Sequence, residues 1–174
     1  MFFWIVATLC VFAGPPKESS SKWVRWKPHR HPFEVYFPAK PNVEQKYQLS
    51  NFGDLEIITA SHRGANWGYI ASFVYYPSTG LWEKDPDSFL QLTAKGIVAN
   101  VQGAFPANNY FPVNRGSSKG VSFLFQVNEQ DAKNVYHVQL FLVDNALIQL
   151  MVYNRAEFQA EVNASMFFSS FKPK

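Results

Sequence analysis

The sequence predicts an α+β domain: a central antiparallel β-sheet with helices on both faces, an α/β/α sandwich by layers. Three observations carry this. Hydrophobic residues make up 47% of the 174 and charged residues 17%, with seventeen Phe, eight Tyr and five Trp, a core-forming composition for one domain. The segments Val135–Val143 and Ala146–Tyr153 flank Asp144-Asn145 and are apolar on both faces, so a sheet built on them needs cover on each side. Two stretches with helical spacing, one after Asp85-Pro86 and one after Asn154, supply that cover.

The N-terminus reads as a targeting segment. Met1–Ala13 (MFFWIVATLCVFA) carries no charge. It is shorter than the ~20 apolar residues a spanning helix needs and has the length of a signal-peptide core. Val11-Phe12-Ala13 resembles a small-x-small cleavage site. Residues 1–13 are therefore a signal peptide or a hydrophobic anchor, with a true start upstream of Met1 as a further alternative. Cys10 is the only cysteine, and Leu9 before it is large for a lipidation site. Lipidation at Cys10 stands as the alternative to cleavage after Ala13, which would leave a mature chain without cysteine. Residues 14–32 form a basic Pro/Ser-containing linker, in which Lys17, Lys22, Arg25, Lys27 and Arg30 face only Glu18. It suits contact with anionic lipid headgroups or an acidic partner, or it is a solvated spacer. The formal charge of +3 is too small for a nucleic-acid binder. Residues 33–174 make a single domain.

Phe33–Phe37 alternates and stops at Pro38, giving a first strand. Val43–Leu49 is a polar edge strand. Leu55–His62 and Trp67–Tyr76 follow, separated by Gly64-Ala65-Asn66, and the four strands suggest an antiparallel meander. Asp85 caps a helix with Pro86 at its first position, and Leu90, Ala94, Ile97 and Val101 form its apolar stripe. Gly96 inside it suggests a close helix-to-sheet approach. A short strand at Tyr110–Val113 and a longer one at Gly120–Val127 precede the apolar hairpin, whose turn pairs Val143 with Ala146 and Phe141 with Ile148. Asn154 and Glu157 spell a capping box for a last helix running to about Ser170, with Ala160, Ala164, Phe167, Phe168 and Phe171 at helical spacing.

The order of these pieces carries a family resemblance. F-x-V-x-F-P occurs at Phe33–Pro38, a strand ends in Tyr76-Pro77, and a capped helix and a Gly-led strand follow. L-F-L-V-D-N-x-L-I-Q-L covers Leu140–Leu150, and F-F-x-S-F stands at Phe167–Phe171. This resembles the PsbP-like fold and, within it, small bacterial exported proteins of the DcrB-like and LpqN-like type, over about 33–171. The resemblance implies a non-catalytic accessory domain that docks on membrane complexes or other proteins, with no catalytic residues to carry over.

The residues offer little chemistry of their own. There is no Gly-x-Ser-x-Gly, phosphate-cradling Gly loop, His-Glu-x-x-His or Cys-x-x-Cys. His29 and His31 flank Arg30 in the linker and are expected to be exposed, as is His62. His137 is expected to be partly buried in mid-strand on the face of Phe141. Glu83, Asp85 and Asp87 suit either a helix start or a cation. Phe105, Tyr110, Phe111 and Arg115, in the Pro- and Asn-rich segment 104–119, are the candidate binding surface, or else rings that fold back over one end of the sheet. The expected function is a non-catalytic, exported cell-envelope accessory or binding domain with a protein partner and no cofactor or metal. The alternative is a small-ligand or lipid-binding protein, or a hydrolase, with a pocket between sheet and helix.

Overall fold

The computed structural model describes residues 23–29, 31, 33–50, 53–77, 82–101, 103, 110–129, 132–157 and 163–173. The signal-like segment 1–13, Cys10, the linker up to residue 22 and Phe105 lie outside these. The chain runs through β1 (Val24–Trp26), β2 (Phe33–Phe37), β3 (Asn42–Ser50), β4 (Gly53–Arg63), β5 (Trp67–Tyr75), α1 (Pro86–Asn100), β6 (Phe111–Arg115), β7 (Ser118–Glu129), β8 (Ala132–Val143), β9 (Ala146–Arg155), α2 (Ala164–Ser169) and β10 (Lys172–Pro173).

Seven strands form one antiparallel sheet in the order β3-β4-β5-β9-β8-β7-β6. The apolar hairpin β8–β9 lies inside it, with the register read from its turn: Val143 opposite Ala146, Phe141 opposite Ile148, Gln139 opposite Leu150. Asp144 takes the left-handed conformation at φ 51°, which the tight turn requires. One face of the hairpin carries Phe141, Ile148, Leu150 and Val152, and the other Val138, Leu140, Leu142, Leu147 and Met151; all are buried.

Helix α1 covers the second of these faces. Asp85 accepts a hydrogen bond from Ser88 N at 3.0 Å, and Pro86 opens the helix. Its buried residues are Leu90, Ala94 and Val98 rather than the stripe through Ile97 and Val101, so the helix is rotated slightly from the expected facing. A side chain at Gly96 would meet nothing within 4 Å, so this glycine marks no close approach to the sheet.

The other face corrects the predicted sandwich. The fold is predominantly β, and no second helical layer is present among the described residues. Phe33–Phe37 does not join the large sheet. It forms the middle of a three-stranded sheet, β1-β2-β10, laid over the large one. Phe33, Val35 and Phe37 are buried there, with Phe33 stacked on Phe73 at 5.5 Å and Phe37 against Phe167 at 5.3 Å. The last helix is only six residues long because the chain stays extended to Arg155. Asn154 pairs with Trp67 and Val135 as a strand residue, and the N-cap is Asn163, whose side chain accepts from Met166 N at 3.0 Å. Such a short helix covers little of a sheet face. It contributes Phe167 and Phe168, Phe171 just beyond it packs on Phe141 at 4.9 Å, Trp23 packs on Tyr69 at 5.6 Å, and β2 supplies most of the remaining cover.

Candidate functional site

The two most exposed apolar side chains of the described sheet, Tyr47 and Leu49, lie on β3 together with Val43. Alternation puts Val43, Gln45, Tyr47 and Leu49 on one face, the face on which Ala60 and Ile58 of β4 are buried, because Val43 pairs with Ala60 and Gln45 with Ile58. Val43 is 48% exposed, Tyr47 72% and Leu49 83%. Gln45 Nε2 donates to Tyr47 Oη at 2.9 Å and to Glu56 Oε1 at 2.7 Å, which holds the tyrosine in place. On the opposite face Lys46 pairs with Glu44 at 3.3 Å. Between this row and the β1–β2 connection runs a groove of about 520 Å³, lined by Trp26, Pro28, His29, Val43, Tyr47 and Ile58 among others. β3 is also an edge strand, so half of its backbone N–H and C=O groups have no neighbour in the sheet. The surface offers recognition: a row of apolar side chains beside an open line of backbone donors and acceptors.

No protein-family model matches the chain, and no curated protein matches it.

The residues singled out from the sequence are dispersed. Tyr110 turns toward the α1 side and packs against Phe123 at 5.9 Å, and burial pushes its phenol up from the usual range. Phe111 is 56% exposed at the start of β6. Arg115 reaches the opposite face, where Nη2 donates to the carbonyl of Phe168 at 3.4 Å. Phe111 and Arg115, four residues apart on β6, share the face opposite Tyr110, so the three do not form one surface.

The histidines differ from expectation in two cases. His29 is exposed, but His62 is half-buried against Trp67 at 5.5 Å. His31 is not an exposed linker residue. Its ring packs on Phe73 at 4.0 Å with Nε2 3.7 Å from Glu56 Oε2, and burial lowers its pKa against the raising effect of that carboxylate. His137 is partly buried under Phe168 at 4.5 Å and shares a hydrogen bond with Ser122 Oγ at 3.1 Å. Burial lowers its pKa. Among the described residues no carboxylate pairs with His137, and Ser122 is a buried residue in the middle of a regular strand, so the pair works as a cross-strand link.

Among the described residues, no three His, Cys, Asp or Glu side chains converge as a metal site. Asp85 is spent as a helix cap. No described helix is long and apolar enough to cross a membrane. The β3 row was legible in part: Val43, Tyr47 and Leu49 alternate with Glu44, Lys46 and Gln48, but the sequence does not show that the face they share with Ile58 is left open here.

Proposed function

We propose that this protein is a non-catalytic accessory domain of the cell envelope, which docks an extended segment of a partner protein along β3. The exposed row Val43, Tyr47 and Leu49 carries this reading. A partner strand can hydrogen-bond to the free edge of β3 and place alternate apolar side chains in the groove beside Trp26. Lys46 on the same strand disfavours indiscriminate edge pairing. The signal-like Met1–Ala13 and the resemblance to exported PsbP-like proteins support the compartment and the accessory role.

Photo-crosslinking in the native host tests the surface. A crosslinker at Tyr47 gives a discrete adduct with a partner protein, and one at Leu92, equally exposed on α1, does not. Introducing Val43→Lys and Leu49→Lys abolishes the adduct while the domain stays folded. Equal labelling from both positions, or none from Tyr47, rejects the surface. Export is tested by intact mass: a native chain beginning at Gly14 supports cleavage, one beginning at an acylated Cys10 supports a lipoprotein, and an uncleaved chain rejects the signal peptide.

A further inference from the structure

The α1-bearing face of the sheet holds a second, chemically different feature, away from β3. One cross-strand row runs through Arg63 on β4, Gly68 on β5, Tyr153 on β9, Tyr136 on β8 and Phe125 on β7, each paired with the next. The rings of Phe125 and Tyr136 stack at 4.7 Å with planes 4° apart, and Tyr136 and Tyr153 at 5.6 Å and 28°. Gly68 has no side chain, and the outer part of the Tyr153 ring occupies that space: a Cβ there would lie 2.8 Å from its hydroxyl oxygen. The row therefore leans toward Arg63. In the next row Asn134 pairs with Arg155, whose backbone N–H donates to the carbonyl of Asn66 at 2.9 Å and ties the β4–β5 turn to the end of β9.

Arg63, Asn66, Asn134, Tyr136, Tyr153 and Arg155 line an open cavity of about 380 Å³, with both arginines at its exposed rim. Strand spacing and rise place the Cα atoms of the two arginines about 12 Å apart, within the combined reach of two guanidinium groups. Among the described residues neither arginine has a carboxylate in ion-pairing distance. Two unneutralised guanidinium groups, a tyrosine hydroxyl and two asparagine amides offer more donors than the two oxygens of a carboxylate can use. The terminal oxygens and near-double charge of a phosphoryl group match them, and the volume leaves room for an attached organic group.

We infer that this cavity binds a small phosphate monoester, with Arg63 and Arg155 clamping its phosphoryl oxygens.

Calorimetric titration of the full chain with inorganic phosphate, glycerol 3-phosphate and glucuronate tests this. One glycerol 3-phosphate binds per chain, more tightly than inorganic phosphate, and glucuronate binds about tenfold more weakly or worse. Arg63→Gln and Arg155→Gln each weaken binding about tenfold with unchanged circular dichroism and thermal midpoint, and the exposed Lys119→Gln leaves it unaltered. Tyr153→Phe keeps the stack and weakens binding by a smaller factor. Absence of saturable binding, glucuronate binding as tight as the phosphate ester, or unchanged binding in both arginine variants would overturn the assignment.

Discussion

The ring of Tyr153 on β9 lies over Gly68, its cross-strand partner on β5, so that a Cβ at position 68 would sit 2.4 Å from the ring carbon Cε1. The glycine sets where the end of the aromatic row points.

Gly68→Ala is therefore expected to swing the Tyr153 ring aside. The clash is with the free end of a side chain, so the cost is at the low end for overpacking, about 1 kcal/mol. Near-ultraviolet circular dichroism reports the displaced ring and denaturant unfolding the cost. An unchanged aromatic signal would show that the ring does not depend on Gly68.

Leu140 is fully buried between α1 and the sheet. Leu140→Ala is expected to cost about 2–5 kcal/mol. Leu92→Ala, on the exposed side of α1, is expected to stay within about 0.5 kcal/mol of wild type. A Leu140→Ala loss below half a kcal/mol, on the order of a surface change, would mean the hairpin is not central.

Stability is expected to fall on acidification. Burial lowers the pKa of His137 and of His31 from the ordinary value of 6.5. The unfolded chain then binds more protons than the folded one just below that value, so the histidine contribution is complete above it and is lost as pH falls through the folded-state pKa values. The urea midpoint should drop between about pH 7.5 and about pH 5. His137→Gln keeps a partner for Ser122 and should flatten the slope; an unaltered slope would assign it to other groups.

Glu34 is a buried carboxylate whose partner is Arg25: Nε donates to Oε2 at 2.8 Å and Nη2 donates to the same oxygen. The carboxylate side chain is 9% exposed and the guanidinium 53%. Arg25→Ala leaves the charge without its partner and is expected to cost about 1–2 kcal/mol, allowing for solvent around the arginine. Glu34→Gln removes the charge as well and should cost less. The reverse order in a thermal melt would contradict this.

The register and facing of the central hairpin are legible because a period of two and a two-residue turn determine them together, as at Val143 and Ala146, while its far end runs on past the expected Val135 and Tyr153 to Ala132 and Arg155. The start of α1 was legible from Asp85 and Pro86. The last helix begins later than its sequence predicts: Asn154 and Glu157 spell a cap wherever they stand, and pairing of Asn154 with Trp67, far away in sequence, overrides it. The alternation of Phe33–Phe37 predicts a strand but not its place in the smaller sheet, since alternation says nothing of which neighbour a strand takes. The cavity between Arg63 and Arg155 is not legible in the sequence, because its parts are about ninety positions apart and meet only through sheet pairing.

That same pairing has a kinetic meaning. Strands β3 to β5 and β6 to β9 are each built from hairpins between sequence neighbours, and the large sheet is whole only when β5 meets β9, joining residues at least seventy positions apart. Loop closure makes this seam the slow contact of the large sheet. Two locally assembled ribbons should form early and zip together late, with Ala71 and Leu150 meeting only as the large sheet closes.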